Sequence, residues 1–323
     1  MRRSLLVVLA AAAALQVSLA GQRAPGRLNP VIALLEQHKP VFGLYAPSNG
    51  FPGQRNAPAT PRPAADLVKD ALGHAQTDFL FNGSMEGGLD RAMPSFLEFV
   101  GAMHQAGAAA KAPNFFLAHP LIVKAPKIAP ELTTAVQNIG RELNAGVSGV
   151  MFVEAESADE VKAGLAAMRF KAHGGTRAED VGQAPQYWGM SDAEYRKKAD
   201  VWPLNPEGEL VNWTIVESKE GLKHVREIAA VKGIGVLWPG AGTLRGVFTT
   251  TSPSGEKVFD EAGWEGAIQQ VLAACKEFHV ACGFPASATD IEKRMQQGFS
   301  VFVSGWGEPG FKAVELGMKA AGR

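Results

Sequence analysis

The sequence predicts an α/β protein of one domain, a (β/α)8 barrel of the TIM type. Eight short apolar runs alternate with eight longer amphipathic segments in a chain of 323 residues. Eight strands alternating with eight helices over this length is the pattern of a TIM barrel. A doubly wound open sheet is the alternative. It is weakened because no Gly-x-Gly-x-x-Gly fingerprint follows the first apolar run.

The eight apolar runs are continuous and rich in β-branched residues, as parallel strands buried on both faces are. We expect strands at 41–45, 79–81, 121–123, 149–153, 213–216, 234–238, 280–284 and 300–303. The segments between them predict helices at 64–75, 90–107, 128–144, 157–168, 219–231, 262–277, 288–297 and 309–321. Capping residues stand at the starts of three of these helices, namely Ser157, Ser218 and Asp290.

Two segments, 171–212 and 239–260, are longer than ordinary connections. Long insertions in a compact domain are usually functional or oligomeric. Because barrel sites form at the C-terminal ends of the strands, both insertions are candidates to shape the mouth of the barrel.

The first twenty residues have the pattern of a secretory signal peptide, with two arginines, an apolar run at 5–15 and the small residues Ser18 and Ala20 at the positions that a signal peptidase reads. The apolar run is shorter than the roughly 20 residues that a membrane span needs. We therefore expect a signal peptide at 1–20, a TIM-barrel domain at 21–323 and export to the periplasm or the medium. An uncleaved N-terminal anchor is the alternative; after signal removal we expect no membrane span.

The composition limits the classes of partner and of metal site. With 32 basic and 32 acidic residues the formal net charge is zero, so the chain has no field to attract nucleic acid and we expect no such partner. The two cysteines are Cys275, late in a predicted helix, and Cys282, in the next strand. Export permits a disulfide between them, but the sequence favours two buried thiols. It does not support a cysteine metal site.

Charged side chains follow four of the predicted strands: Glu86 after the second, Lys124 after the third, Glu154 after the fourth and Glu217 after the fifth. We expect them to converge at the barrel mouth. Carboxylates together with water suit Mg²⁺ or Mn²⁺, which can polarise a ketone or enolate oxygen. Helix caps or solvated rim residues are the alternative. Glu217 is the strongest candidate ligand because it directly closes an apolar strand, where an unpartnered carboxylate is costly.

Other chemistries find less support in the sequence. A Gly240-Ala241-Gly242 turn follows strand six, and Gly242 is a candidate substrate contact, with a simple tight turn as the alternative. No Gly-x-Ser-x-Gly nucleophile elbow occurs. A glycoside hydrolase with two carboxylates stays open, although the 8% aromatic content argues mildly against a cleft that stacks on sugars.

Several stretches resemble the HpcH/HpaI aldolase/citrate lyase family, and the resemblance covers roughly residues 39–320. The matching stretches are 143–150, 158–160, 168–170, 186–189, 199–204 and 215–218. The resemblance implies a barrel that uses a divalent metal (Mg²⁺, Mn²⁺ or Co²⁺) to cleave or form carbon–carbon bonds through a pyruvate-type enolate. It also implies a small keto or hydroxy acid as substrate, and a homo-oligomer.

The family pattern has a metal-binding Glu after strand five and an Asp after strand six. A His after strand two, paired with an Asp, handles protons, and an Arg after strand three orients the keto acid. In this sequence Glu217 stands at the position of the metal-binding Glu, and Thr243 at that of the Asp after strand six. Gly87, which follows Glu86, stands at the His position, and Asn144 at that of the paired Asp. Lys124 stands at the Arg position.

The replacements have physical consequences. Threonine for aspartate removes a charge from the metal shell, glycine removes the imidazole, and lysine lacks the bidentate fork of arginine. The implied site then has Lys124 and Glu86 as catalytic residues, Gly242, Thr243 and Lys124 as substrate contacts, and Glu217, Glu86 and Glu154 as metal ligands. Two hypotheses follow: a divergent metal-dependent carbon–carbon lyase, or a non-catalytic exported barrel that binds a small carboxylate or sugar acid.

Overall fold

Eight parallel strands close into a barrel in the computed structural model, which describes residues 26–50, 60–74, 76–108, 117 and 119–323. The predicted (β/α)8 fold and its eight strands are confirmed. The predicted signal peptide lies outside the described residues. The barrel strands, in their order around the ring, are β1 (Val41–Tyr45), β2 (Phe79–Asn82), β3 (Leu121–Lys124), β4 (Gly149–Phe152), β6 (Leu210–Val216), β7 (Ile234–Pro239), β10 (Ala281–Pro285) and β11 (Val301–Ser304).

Helices follow the barrel strands, and three short strands lie outside the ring: β5 (Val201–Trp202), β8 (Thr249–Thr251) and β9 (Lys257–Phe259). The helix predicted at 219–231 is two short helices on either side of His224. The helices are α1 (Pro30–Glu36), α2 (Ala64–Gly73), α3 (Leu89–Gln105), α4 (Leu132–Asn144), α5 (Ala158–Met168), α6 (Ala184–Trp188), α7 (Asp192–Lys198), α8 (Lys219–Lys223), α9 (Val225–Ala229), α10 (Ala241–Val247), α11 (Glu261–Phe278), α12 (Ile291–Gln297) and α13 (Glu308–Ala320).

Two of the three predicted helix caps accept the expected hydrogen bond. Ser157 accepts from the amide of Glu160, and Ser218 accepts from the amide of Gly221. Asp290 precedes α12, but its carboxylate accepts from the amide and hydroxyl of Ser287 instead, so it stabilises the preceding turn.

Side chains of the barrel strands alternate between the barrel interior and the layer of helices. In β6, Trp213 and Ile215 belong to the interior cluster, whereas Leu210 and Val216 pack in the outer cluster. In β1, Val41 faces the interior and Phe42 faces the helices. Because successive side chains of a strand point to opposite faces, this alternation fixes which residue at each strand end faces the mouth.

Aromatic rings fill the barrel interior and require glycines opposite them. Trp213 stacks on Trp238 with ring centroids 5.4 Å apart, and on Phe81 at 5.9 Å. A Cβ on Gly283 would lie 1.7 Å from the Trp238 ring, and one on Gly43 would lie 2.2 Å from the Phe79 ring. The close-packed interior therefore depends on the absence of side chains at both glycines.

We expect Gly283→Ala to destabilise the protein by about 2 kcal/mol, because the new methyl group overlaps the Trp238 ring in a packed interior. Gly266→Ala is the matched control. It is an exposed glycine of α11 with open space around its Cα, where alanine favours the helix by up to about 1 kcal/mol. Urea unfolding followed by tryptophan fluorescence measures both; equal midpoints for the two variants would contradict this packing.

Helix α1, which the sequence analysis did not predict, closes the N-terminal end of the barrel. Val31 and Ile32 are fully buried and belong to the same interior cluster as the strand residues. Asn29 begins the helix by accepting a hydrogen bond from the amide of Val31, and Pro30 occupies the first helical position. The cavity lined by the inward-facing strand residues therefore lies at the opposite, C-terminal end.

The insertion 171–212 does not shape the mouth, and that prediction is wrong. The indole of Trp188 donates to the carbonyl of Gly146 at 2.8 Å, and the Tyr195 hydroxyl donates to the carbonyl of Leu143 at 3.1 Å. Both carbonyls precede β4 and so mark the N-terminal end of the barrel. The insertion follows α5 and precedes β6. As a helix-to-strand connection, it belongs to the face opposite the active-site loops.

The second insertion does lie at the mouth, as predicted. It follows the C-terminal end of β7 and contains α10 and then an antiparallel hairpin of β8 and β9. Residues at its start, Gly240 to Thr243, line the cavity at this end of the barrel.

The two cysteines form a disulfide, which corrects the expectation of two unpaired thiols. Cys275 lies in the last turns of α11 and Cys282 in β10, with Cα atoms 5.7 Å apart. His279, in a left-handed conformation, ends the helix. The chain then turns back directly, and the two cysteines come within ordinary bonding reach.

The last helix, α13, packs on its own barrel. Val314 and Met318 are buried, and the α13 residue Gly317 lies against Phe42 of β1 so closely that a Cβ there would lie 2.3 Å from the ring. The homo-oligomer implied by the resemblance stays a prediction. Among the described residues, no helix is both long and apolar enough to span a membrane.

Candidate active site

Three polar side chains continue the inward-facing series of their strands at the mouth. Tyr45 follows the inward-facing positions 41 and 43 of β1, Lys124 follows Ile122 of β3, and Glu217 follows Ile215 of β6. Because the side-chain period of a strand is two residues, the phenol, the ammonium and the carboxylate all point into the barrel mouth.

These three residues line a cavity of about 200 Å³ at the C-terminal end of the barrel. The inward-facing strand residues form its floor, and the start of α10 forms one of its sides. The lining residues are Tyr45, Phe81, Lys124, Met151, Ile215, Glu217, Trp238, Gly240, Ala241, Gly242, Thr243, Pro285 and Val303. The structure thus brings together four of the predicted site residues: Lys124, Glu217, Gly242 and Thr243.

Lys124 is paired with Glu86, another predicted site residue. Its Nζ lies 3.0 Å from Oε2 of Glu86, and the side chains are 15% and 38% exposed, respectively. Glu86 lines a second cavity, of about 340 Å³, which shares Tyr45 and Phe81 with the first. The ion pair therefore links the two cavities, and an anion that enters the first competes with Glu86 for the ammonium group.

Glu217 is a buried carboxylate, 3% exposed. Its Oε1 accepts a hydrogen bond from the amide of Glu154 at 3.1 Å. Gly240 lies so close that a Cβ there would be 2.7 Å from Oε2 of Glu217. A glycine at the end of β7 is thus what gives the carboxylate room beside α10.

Glu154, the third predicted metal ligand, lies outside both cavities. The preceding residue, Val153, faces the interior, so the Glu154 side chain projects to the outside of the rim. Its carboxylate lies 3.0 Å from Nζ of Lys127, and this hydrogen bond raises the pKa of Lys127 above its usual value. Its backbone has a φ of 47°, a left-handed conformation that aims its amide at Glu217.

Sequence reasoning missed Tyr45, which lines both cavities. Burial raises the pKa of its phenol; of the nearby charges, Lys124 lowers that pKa while Glu86 and Glu217 raise it. The signal was present in the sequence, since Tyr45 stands four residues after the inward-facing Val41 and ends the first strand. An apolar run, however, does not by itself distinguish its last residue from a buried core position.

Comparison with known proteins places the chain among relatives of similar fold. A family model described as HpcH/HpaI aldolase/citrate lyase matches residues 101–309. The chain belongs to the HpcH/HpaI aldolase/citrate lyase family. A search of curated proteins finds no match.

Solved structures of the HpcH/HpaI family share the fold. A family protein from Burkholderia cenocepacia has a TM-score of 0.60 at 22% identity, covering 86% of this chain and 92% of the other. An HpcH/HpaI aldolase from Desulfitobacterium hafniense has a TM-score of 0.59 at 16% identity, covering 85% and 90%. Macrophomate synthase has a TM-score of 0.55 at 16% identity, covering 87% and 84%. At these identities the likeness establishes the barrel.

Most of the residues that match the HpcH/HpaI family pattern lie at the barrel mouth, but Asn144 does not. Glu86, Lys124, Glu217 and Thr243 line the two cavities. Asn144, matched to the acid that pairs with the family's histidine, lies at the end of α4. There its amide donates to Asp180 at 2.8 Å and accepts from Arg177 at 2.9 Å. Within the described chain, Asn144 holds the insertion at the N-terminal end.

The side chains at the mouth can supply only a few of the ligands of a divalent metal ion. In the described part of the chain, no three His, Cys, Asp or Glu side chains form a group that could hold a metal. Glu86 and Glu154 each face a lysine, so a shell of three carboxylates does not fit. The buried Glu217 carboxylate, with the Thr243 hydroxyl in the same cavity, fits an ion such as Mg²⁺ that keeps several waters and takes one or two carboxylates.

Proposed function

We propose that this protein is a carbon–carbon lyase of the keto-acid aldolase type, and that a small keto or hydroxy acid binds at the barrel mouth. The proposal rests chiefly on the placement of the Lys124 ammonium and the buried Glu217 carboxylate around one cavity of about 200 Å³. Membership of an aldolase/citrate lyase family supports the reaction class.

In the proposed reaction, Lys124 holds the substrate carboxylate. As the anion enters, it displaces Glu86, whose Oε2 lies 3.0 Å from Nζ of Lys124. The freed Glu86 carboxylate then accepts the proton of the substrate hydroxyl group. The carbon–carbon bond breaks, its electron pair forms the enolate of a pyruvate-type product, and the hydroxyl carbon leaves as an aldehyde. The enolate takes up the proton that Glu86 accepted, so no other reactant is needed.

We assign Glu217 and Thr243 as the residues that would hold a divalent ion, Mg²⁺, Mn²⁺ or Co²⁺. When bound, such an ion would polarise the keto oxygen as a Lewis acid. Because one carboxylate contributes less charge than two, we expect weaker metal binding than a two-carboxylate shell gives. Gly242, at the start of α10, leaves open space above its Cα for the substrate.

The test measures metal content and pyruvate release from a 4-hydroxy-2-oxo acid by the purified chain, with Mg²⁺, Mn²⁺ or Co²⁺ added in turn. Turnover by the native protein, lost together with metal binding in Glu217→Gln, is the expected result. The matched control is Glu154→Gln, which removes a neighbouring carboxylate that lines neither cavity. No turnover with any of the three metals would overturn the lyase proposal.

A second candidate function is a non-catalytic barrel that binds a small carboxylate or sugar acid. It is favoured by Gly87 and Thr243, which stand where the family pattern has an imidazole and an acid. The same preparation tests it: a thermal shift with pyruvate, with no turnover, would support binding without catalysis.

We also propose that the protein is exported, with cleavage after Ala20. The disulfide between Cys275 and Cys282 supports this proposal because structural disulfides persist in oxidising compartments. The intact mass of the protein recovered from the periplasm or medium tests it, since an uncleaved chain would retain the first twenty residues.

A further inference from the structure

Packing holds the ring of Tyr45 in place at the mouth. Tyr45 ends β1, opposite Phe81 of β2 in the parallel register, and the two rings meet edge to face with centroids 5.0 Å apart. The residue is nevertheless 40% exposed. A ring that is fixed on one side and open on the other presents its hydroxyl group to the cavities it lines.

The hydroxyl of Tyr45 is available to a ligand. In the residues that the structure describes, no hydrogen bond joins it to another group. A buried tyrosine hydroxyl usually has a hydrogen-bond partner, whereas Tyr45, at 40% exposure, can leave its hydroxyl open to the site. Among the described residues the hydroxyl has no protein partner, so it is free to bond to solvent or to a molecule that enters the cavities it lines.

Tyr45 and Lys124 both lie close to the same glycine. A Cβ on Gly83 would lie 3.5 Å from Cε1 of Tyr45 and 3.8 Å from Cδ of Lys124. The phenol ring and the lysine stem are therefore neighbours, and both residues line the 200 Å³ cavity. Their polar ends form a pair of donors from two strands, β1 and β3.

The pairing supplies what the lysine lacks. An arginine grips a carboxylate with two parallel N–H donors, whereas a lysine offers a single point charge that does not orient the anion. We infer that Tyr45 and Lys124 together replace such a fork, the phenol donating to one carboxylate oxygen of the substrate and the ammonium holding the other. This inference rests on the proposed function, because it specifies how that site binds its acid.

Tyr45→Phe isolates the hydroxyl group, because phenylalanine keeps the ring that packs on Phe81. We measure the dissociation constant for pyruvate by calorimetry, in the native protein and in the variant. Loss of one hydrogen bond to a charged group predicts roughly tenfold weaker binding. The thermal unfolding temperature should not change, because the hydroxyl has no partner in the described protein.

A second substitution distinguishes a donor pair from a merely structural role. Introducing Lys124→Arg into Tyr45→Phe should restore most of the lost affinity, since the guanidinium brings its own second donor. The same Lys124→Arg change in the native protein should gain less, because Tyr45 already occupies that role.

The outcomes separate the two proposals. A native protein that does not bind pyruvate would overturn the proposed function and with it this inference. A native protein that binds pyruvate, with Tyr45→Phe binding equally well, would overturn the inference alone. Weaker binding in Tyr45→Phe that Lys124→Arg does not restore would also overturn it, because the hydroxyl would then act in another way.

Discussion

Glu142→Gln is expected to stabilise the protein by about 3 kcal/mol at pH 7. Glu142 lies in α4 and is fully buried, and neither of its carboxylate oxygens has a hydrogen-bond partner among the described residues. Burial raises its pKa to about 8 from the ordinary value of 4.5, although Arg141 acts to lower it. Folding at neutral pH therefore requires Glu142 to take up a proton.

The direction of the pH dependence follows from the raised pKa. Below pH 4.5 the carboxyl group is protonated in both the folded and the unfolded chain, and its contribution to stability is fully present. As the pH rises the unfolded chain ionises first, and the contribution is lost progressively until the pH passes the folded-state pKa of about 8. Glutamine has no charge to bury, so the variant should lose this dependence.

Urea unfolding at pH 5, 7 and 8.5 measures the effect. The native protein should lose stability over this range relative to Glu142→Gln, and the two proteins should differ least at pH 5. Glu292→Gln, at an exposed position of α12, is the matched control and should follow the native curve. If Glu142→Gln has the same pH dependence as the native protein, the buried carboxyl group does not titrate as described.

The barrel could be predicted from the sequence because parallel strands buried on both faces leave a continuous apolar signal. Each of the eight predicted runs is a strand, with ends that differ by at most three residues. Helix α1 was missed although Asn29 and Pro30 are helix-start signals, because its seven residues are too few to show a helical period. Nothing in its sequence shows that it closes the barrel interior rather than packing outside. Such a placement is decided by the tertiary structure.

The error about the insertion 171–212 came from an argument based on length alone. Length indicates that a loop has a role, but the order of elements decides its end of the barrel: a segment between a helix and the next strand lies at the N-terminal face. The disulfide was missed for a different reason. The distance between Cys275 and Cys282 depends on how sharply α11 turns into β10, which the sequence does not specify.

Strand period explains which of the predicted site residues line the mouth cavity. Lys124 and Glu217 lie two residues beyond buried inward-facing residues, so they point inward. Glu154 lies only one residue beyond such a position and points away. Counting in steps of two from the strand interior would have separated them, and would also have found Tyr45.

Lys124→Met should weaken pyruvate binding by roughly 100-fold, since Lys124 is the one cationic side chain among the described residues that line the mouth cavity. Lys127→Met is the matched control, because Lys127 is three residues along the same chain and pairs with Glu154 and Glu156 outside the cavity. Its affinity for pyruvate should stay within about twofold of native, as exposed ion pairs contribute little.

Comparing Lys124→Met with Lys127→Met separates the effect of a lysine's position from the effect of its charge. Both variants remove one positive charge, so any long-range attraction of the anion falls by a similar amount in each. The difference between them then measures direct contact in the cavity, because Lys124 continues the inward series of β3 and Lys127 does not. Equal losses of affinity in the two variants would mean that the anion responds to the general field of the rim, and that the mouth cavity is not its binding site.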